Sequence, residues 1–562
     1  MANITKQSID TLKIAINKAI EKAKETGALI DAETPDFIIE IPADKKNGDL
    51  ATNAAMVCAR AFKTSPRNIA QAITDNLSLE NTYIERYEIA GPGFINFFLN
   101  SNYYSDVVKA VIEEKDDYGK SDFGKGKRIL VEFVSANPTG PMHIGNARGG
   151  ALGDCLASVL QTAGYDVQRE FYVNDAGNQI EKFKTSLEVR YLQIYDNTVP
   201  MPEDAYQGAD ITAHANAFNE KYGDKYLNVS SEERKQALCD FALPINIANL
   251  KKDLQKYRIE YDNWFLESSL HNNGAVADII EKLKESGHTY EQEGALWFRT
   301  TDFGDDKDRV LLRANGVPTY LVPDIAYHYN KLVTRGYDTA IDILGADHHG
   351  YIPRIKASMA ALGVNPDNLD IIIMQMVRLM KDGDVYKLSK RSGKAITLST
   401  LIEEVSVDAA RFLFNTREAN TQMDFDIDLA IKQDSQNPVY YVQYAHARIC
   451  SIIKALENDG ITARECTYDE LALLSTNEEK ELITHIANYT NEIISAASDY
   501  DATKVTRYVL QLAALFHKFY NVCRVKGDDE SLTQARLNLC IAVKTVIKNV
   551  LTMLKITAPE SM

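Results

Sequence analysis

Two stretches of the sequence carry residue types suited to phosphate chemistry. In "SANPTGPMHIGNARGG", residues 135–150, a lone histidine, His143, follows a Pro-Thr-Gly-Pro bend and precedes a run of small residues. An imidazole there can donate a hydrogen bond to a phosphate oxygen, while Gly140, Gly145, Gly149 and Gly150 let backbone approach a ligand closely. In "GDVYKLSKRSGKAITL", residues 383–398, Lys387, Lys390, Arg391 and Lys394 crowd cations into a Gly- and Ser-containing stretch. Singly, the first pattern also fits a helix-capping histidine with glycines for packing, and the second a solvated loop. Paired, they supply a donor and cations for a polyphosphate. A third group, Asp347, His348 and His349 in "GADHHG", has metal-ligand chemistry, but adjacent side chains rarely converge on one ion and no other His or Cys stands nearby.

The elements that must position these residues can be read from periodicity. "RILVEFV" is a buried-strand pattern and "GNARGGALGDCLASVLQTAG" begins a helix, so His143 falls at a strand-to-helix junction. In a doubly wound parallel sheet that junction is the ligand crevice, where free N–H groups and the helix dipole favour a phosphate. Further strand candidates, "DVQREFYVND", "TAIDILGAD" and "DIIIMQMV", alternate with helical stretches and predict such a sheet over residues 119–403. A helix-rich, charged stretch at about 181–260 reads as an insertion between its halves. Residues 1–118 predict a small α/β domain able to fold alone. Its first helix puts Ile9, Leu12, Ile16 and Ile20 on one face; a strand "DFIIEIP", a helix around "DLATNAAMVCARAF" and paired strands "TYIERYEIA" and "GFINFFLN" follow. Beyond about 404 the strands are expected to stop. Val505, Val509, Leu512, Leu515, Phe516 and Phe519 recur at helical spacing and predict an α-helical bundle over 404–562.

Composition bounds the function. A chain of 562 residues holds about three domains at roughly 100–200 residues each. No apolar run approaches the roughly 20 residues of a membrane span, and the N-terminus mixes Asp and Glu with Lys, unlike a targeting peptide, so no membrane partner and a cytoplasmic location are expected. Seven scattered cysteines without a C-x-x-C pair read as reduced thiols. A net charge of −17 argues against a nucleic-acid partner unless basic groups are gathered on one face.

His143-Ile144-Gly145-Asn146 and Lys387-Leu388-Ser389-Lys390-Arg391 resemble the "HIGH" and "KMSKS" signatures of class I aminoacyl-tRNA synthetases. The resemblance runs along nearly the whole chain to the arginyl-tRNA synthetase family: "EFVSANPTGPMHIGNARGGALGD", "YDNWFLESSL", "EGALWFRTTDFGDDKDRVLLRANGVPTYLVPDIAYH", "LGADHHGY" and the closing "ITAPESM" follow in its order. It implies a Rossmann-like catalytic core and a ligase that activates L-arginine with ATP and Mg²⁺, then passes it to the terminal ribose of its tRNA. It assigns His143, Asn146, Lys387 and Lys390 to the phosphates. Gly140, Gly145, Gly345 and Asp347 complete the ATP site, Asp347 toward the ribose. Glu267 and Asp324 meet the guanidinium, Tyr320 forms a flat wall, and Ser135, Asn137 and His348 hold the α-ammonium. "DAAR" at Asp408 to Arg411 resembles the opening signature of the family's anticodon-binding domain, which implies tRNA contacts by Tyr441, Tyr444, Arg448 and the terminal Met562; Asn96 and Phe98 would meet the outer corner of the tRNA. A monomer is expected.

Two departures stand out. Asn146 replaces the second histidine of the general motif, keeping hydrogen bonding but losing the ability to titrate. Asp210, in "YQGADI", stands where a tyrosine is expected. Read without the family, Glu267 and Asp324 also fit solvated helix carboxylates, and Tyr441 with Tyr444 a core stripe. A small-molecule nucleotidyltransferase would share the histidine turn but not the helical tail, and a scaffold protein derived from a synthetase would not need His143, Lys387 and Lys390.

Overall fold

The computed structural model describes residues 3–386 and 396–562; Lys387, Lys390, Arg391 and Lys394 lie outside the described residues. At the centre is a five-stranded, all-parallel sheet in the order Leu369–Met374, Thr339–Gly345, Arg128–Glu132, Asp166–Val173, Asn263–Leu266. From Arg128–Glu132 the chain first builds outward on one side, then returns to add Thr339–Gly345 on the other. The gap between these two strands is the switch point where such sheets bind ligands. Ile129, Leu130 and Val131 are all buried, as a strand covered on both faces requires.

The helix Ile144–Thr162 presses directly on this sheet. A side chain at Gly153 would lie 2.3 Å from the Phe133 ring, and one at Gly150 would lie 2.7 Å from Ile259. Gly150, expected to admit a ligand, instead admits Ile259; packing of helix on sheet is the physical reason. The insertion holds helices Gly177–Gln193, Ala209–Tyr222 and Ser231–Lys256 around a small core of its own, including Phe183, Tyr191 and Phe218.

Several short strands were not anticipated, among them Asn263–Leu266 at one edge of the central sheet. Thr289–Gln292, Ala295–Phe298 and Arg309–Leu312 form an antiparallel sheet beside the core. Met423–Asp426 pairs in parallel with Val377–Lys381, which corrects the expectation that strands stop at 404. Its alternation is genuine, with Met423 and Phe425 buried and the aspartates outward, but two acidic residues in four mask so short a strand. In the N-terminal unit, "DFIIEIP" contributes only Ile39–Glu40, and Leu50–Thr52 is a strand, not the start of a helix. This unit does not stand apart: Tyr118 stacks on Tyr489 at 6.2 Å, and Asn3 donates to Asn491 at 2.8 Å. One hydrophobic core runs from Leu12 through Val131 to Val546.

The "DAAR" pair clamps the C-terminal bundle to the catalytic core. Fully buried Arg411 donates to Leu554 O at 2.8 Å, Tyr257 O at 3.0 Å and Asp154 Oδ2 at 2.6 Å. Asp154 also pairs with Arg169 at 2.8 Å. Asp408 accepts from Arg258 and from Thr557 Oγ1, the latter at 2.6 Å. Arg411→Met leaves two carbonyls and part of a buried carboxylate unanswered, so a loss of about 3–5 kcal/mol is expected in urea unfolding at neutral pH. An unchanged unfolding midpoint would show that the clamp contributes nothing to stability. Among the described residues, no helix is long and apolar enough to cross a membrane, and the seven cysteines are free thiols.

Candidate active site

A cleft of about 880 Å³ opens at the switch point. Ser135, Asn137, Gly140, His143, Gly145, Asn146 and Gly149 line it from the turn after Arg128–Glu132, and Gly345, Asp347 and His348 line it from the turn after Thr339–Gly345. The insertion supplies Tyr206, Gly208 and Asp210 across its mouth. The strand-to-helix junction predicted His143 and its glycines here; Ser135, Asn137, Gly345, Asp347 and His348 were expected from the family resemblance. The third was invisible, because nothing local says that an inserted helix folds back over the sheet edge.

His143 is the N-cap of the helix Ile144–Thr162. Its Nδ1 accepts from the Gly145 N–H at 3.0 Å, and its own N–H donates to Asn146 Oδ1 at 2.9 Å. The cap settles the tautomer. A nitrogen that accepts carries no proton, so the proton sits on Nε2, which remains a donor. Burial lowers the ring's pKa and favours this neutral form. Asn146 likewise spends its oxygen on the cap, and its amide N–H groups meet no acceptor among the described residues. Both the capping reading and the donor reading of His143 therefore describe the same ring.

Asp210 and Asp347 bring oxygen ligands to this cleft, each folded over a glycine. A side chain at Gly208 would lie 2.1 Å from Asp210 Oδ1, and one at Gly345 would lie 2.6 Å from Asp347 Oδ1. His348 stands beside Asp347 at 3.5 Å and is half exposed. The strained turn between strand and cleft is held at its base: Val134 and Ser135 take φ values of 71° and 40°. Ser135 Oγ donates to Glu132 Oε1 at 2.8 Å and accepts from Tyr172 N–H at 3.1 Å, leaving one lone pair for a ligand.

Glu267, Tyr320 and Asp324 do not line this cleft; Glu267 and Asp324 gather around Tyr172, and the Tyr320 ring lies by Gly177. Glu267 opens a short helix fixed by Asp175, which accepts from Ser268 N–H at 2.8 Å and Ser268 Oγ at 2.6 Å. The Asn174 amide nitrogen, turned inward, reaches Glu267 Oε2 at 3.1 Å. Burial raises the Glu267 carboxyl above its ordinary range against the opposing Tyr172 hydroxyl and His271. Asp324, in the first turn of the helix Leu321–Tyr329, is pushed by burial up to about 6, with the Tyr351 hydroxyl and His328 working the other way. Neither carboxylate meets a lysine or arginine among the described residues. Tyr320 is 55 % exposed, its ring open to a ligand.

Comparison with known proteins decides what this geometry serves. Residues 107–453 match the family described as tRNA synthetases class I (R), catalytic domain. Residues 10–99 match the arginyl tRNA synthetase N terminal domain, and residues 442–562 the DALR anticodon binding domain. The arginine–tRNA ligase of Caldanaerobacter subterraneus subsp. tengcongensis is 53 % identical over 562 residues, the whole of both chains. The chain belongs to the arginyl-tRNA synthetase family. It activates L-arginine with ATP and charges tRNA with it. A second relative, the arginine–tRNA ligase of Ruminiclostridium cellulolyticum, is 51 % identical over 564 residues, again covering all of both chains. The Thermus thermophilus arginyl-tRNA synthetase structure, 21 % identical, shares the fold at a TM-score of 0.74 over 98 % of this chain and 100 % of that one.

In this synthetase the residues assigned to tRNA fall on two faces. Tyr444, Arg448 and Met562 share a crevice of about 380 Å³ with Tyr520. Arg448 donates to Tyr444 Oη at 2.9 Å and lies 4.7 Å over the Tyr520 ring, while Tyr444 stacks on His517 at 5.9 Å. Tyr441 lies outside that crevice, half-buried against the bundle core. Asn96 and Phe98 share the sheet face opposite the N-terminal core, but Asn96 is only 5 % exposed and the Arg86 guanidinium covers the Phe98 ring at 3.4 Å. Sequence reading missed Tyr172, Tyr351 and Tyr520, because a tyrosine in a strand or helix pattern gives no sign of what its hydroxyl meets.

Proposed function

We propose that arginine activation runs in the switch-point cleft, with the α-phosphorus of ATP attacked in line by the arginine carboxylate while the protein positions the reactants and offsets charge on the phosphates. His143 Nε2–H and the free Asn146 amide donate to the α- and β-phosphate region, and Lys387 and Lys390 meet the departing pyrophosphate. Gly140, Gly145 and Gly345 leave room for the nucleotide, and Asp347 accepts from a ribose hydroxyl. The capping box carries this reading: it leaves two neutral donors side by side where a helix N-terminus already favours an anion. Mg²⁺ accompanying the ATP would supply charge neutralisation, and the Asp210 carboxylate in the cleft lining is the kind of hard oxygen donor that such an ion would accept beside phosphate oxygens.

Glu267 and Asp324 bind the guanidinium, Tyr320 flanks it, and Ser135, Asn137 and His348 hold the α-ammonium. Two desolvated carboxylates that meet no lysine or arginine among the described residues suit a cationic side chain. Arginine then passes to the 2′-hydroxyl of the tRNA's terminal ribose. The enzyme works as a cytoplasmic monomer, divided into a tRNA-contacting N-terminal domain over 1–118, a catalytic domain over 119–403 and an anticodon-binding bundle over 404–562.

Tyr444, Arg448 and Met562 form one end of the tRNA surface, with Tyr441 supporting from behind and Phe98, under the Arg86 guanidinium, at the outer corner; Asn96 is too nearly buried to touch it. Loss of one stacked base is worth roughly 1–3 kcal/mol, so Tyr444→Ala should raise KM for tRNA about tenfold or more. Charging by the native enzyme should weaken with rising salt. ATP–pyrophosphate exchange should depend on added tRNA and fall with the Tyr444 variant. Normal tRNA affinity in Tyr444→Ala would remove that ring from the interface, and robust exchange without tRNA would separate binding from chemistry.

A further inference from the structure

The helix Leu321–Tyr329 does not end cleanly; it runs into a π-helical turn, Asn330–Thr334, a wide geometry that costs backbone hydrogen-bond quality and recurs at functional sites. That turn points Lys331 into the space under the central sheet, where its side chain is 0 % exposed. Its ammonium donates to Glu132 Oε2 at 2.5 Å and to Asp342 Oδ1 at 2.7 Å. Each carboxylate spends its second oxygen on one end of the arginine site. Glu132 Oε1 accepts from Ser135 Oγ at 2.8 Å, tying down the turn whose Val134 and Ser135 have positive φ. Asp342 Oδ2 accepts from His328 Nε2 at 2.6 Å, and His328 Nδ1 donates to the Asp324 carbonyl at 2.7 Å. Both ring nitrogens thus face acceptors, one on each side of the ring.

We infer that this buried chain, Ser135–Glu132–Lys331–Asp342–His328–Asp324, fixes the distance between the ammonium and guanidinium ends of the arginine site, making Lys331 a positioning residue that selects substrate by side-chain length. The inference rests on the reading that Ser135 serves the α-ammonium and Asp324 the guanidinium. Stability alone is a poor account of the network. Well-packed apolar side chains often replace buried ion pairs at no loss, whereas only directional bonds hold two separate elements at one spacing. The chain also joins two elements far apart in sequence: a strained loop after Arg128–Glu132 and a helix that enters from beyond the insertion. Ionic bonds rather than packing make that spacing stiff, since each carboxylate is gripped at both oxygens. Glu170, held by Arg335 and by Tyr327 Oη at 2.7 Å, braces the same helix and lies outside the chain of contacts.

The test is charging of tRNA by the full-length enzyme with arginine, homoarginine (one methylene longer) and 2-amino-4-guanidinobutanoate (one shorter). Lys331→Met breaks the chain but strands two buried carboxylates. Lys331→Met with Glu132→Gln removes one charge of each sign, so the remaining pairs stay balanced. In whichever variant retains a cooperative melt, KM for arginine should rise about tenfold or more and the preference for arginine over its two homologues should narrow about tenfold, the range one methylene is worth in a shaped site. KM for ATP should stay within about twofold, since the cleft turn is gripped separately by its capping box. An unchanged preference among the three amino acids in a folded variant overturns the inference, and so does failure of both variants to fold, which would assign the network to stability. Asp324→Asn in the same assays separates the two layers. If it leaves arginine KM unchanged, the underlying site assignment fails; if it raises KM while the network variants do not, only the length-selection inference fails.

Discussion

His143→Ala should raise the barrier to arginyl-adenylate formation by about 2–4 kcal/mol, a loss of about one and a half to three decades in single-turnover rate, with little change in arginine affinity. The ring has two jobs, so the alanine variant alone is ambiguous. It deletes a helix cap worth about 1 kcal/mol as well as the Nε2 donor. His143→Asn divides them: asparagine caps helices well, and its short amide cannot cap Gly145 and reach a phosphate at once. The asparagine variant should therefore melt like the native enzyme and still lose the chemical step. Full activation by His143→Asn would reduce His143 to a cap. The pH dependence has a definite sign. Burial lowers the ring's pKa in the folded protein, and only the unprotonated Nδ1 can accept from Gly145. The cap's stabilisation is present above the ordinary histidine pKa and is lost as pH falls below it. Activation should be flat from neutral pH upward and should decline on the acid side, together with a falling melting temperature.

The contrast between His143 and Lys331 shows what a sequence can disclose. His143 sits between a run of β-branched residues and a helix start, and its role follows from those neighbours, so its place in the crevice was legible. Its tautomer was not, because that depends on which nitrogen meets the Gly145 N–H. Lys331 meets partners 199 and 11 residues away, and a lysine in a helix pattern reads as solvated. Arg411 is similar: its "DAAR" context announces a domain, while its three partners, Asp154, Tyr257 and Leu554, come from distant segments. Four of the five central strands were legible because buried parallel strands are rich in apolar residues; Asn263–Leu266, short and only partly buried, was not among the candidates. Met423–Asp426 escaped because a four-residue edge strand with alternating charge resembles a loop. The cluster of Glu267 and Asp324 was legible only through family resemblance; nothing near either residue in sequence predicts that burial raises both carboxyls.

That burial makes Asp324→Asn the sharpest probe of specificity. The substitution keeps shape and removes the charge proposed to face the guanidinium, so arginine should bind at least about 1.5–3 kcal/mol more weakly, roughly a tenfold to hundredfold rise in KM, with ATP affinity nearly unchanged. A misfolded site would give the same loss, but here stability should move in the opposite direction. A carboxyl raised to about 6 by burial is ionised at neutral pH at the fold's expense, because the unfolded chain would ionise it more easily. Neutral asparagine lifts that cost, so the free variant should melt at the native temperature or above it, the exchange of stability for function expected of a binding site. The pH profile follows from the same charge. Arginine's guanidinium stays cationic throughout, and Asp324 must be ionised to pair with it, so native affinity for arginine is full well above about 6 and falls as pH drops through that value. In Asp324→Asn the steep part of that fall should disappear, leaving only what Glu267 contributes. Isothermal titration with arginine across pH 5–8, paired with thermal melts, reads both quantities. An unchanged arginine affinity, or an equal loss for arginine and ATP, would remove Asp324 from the guanidinium site.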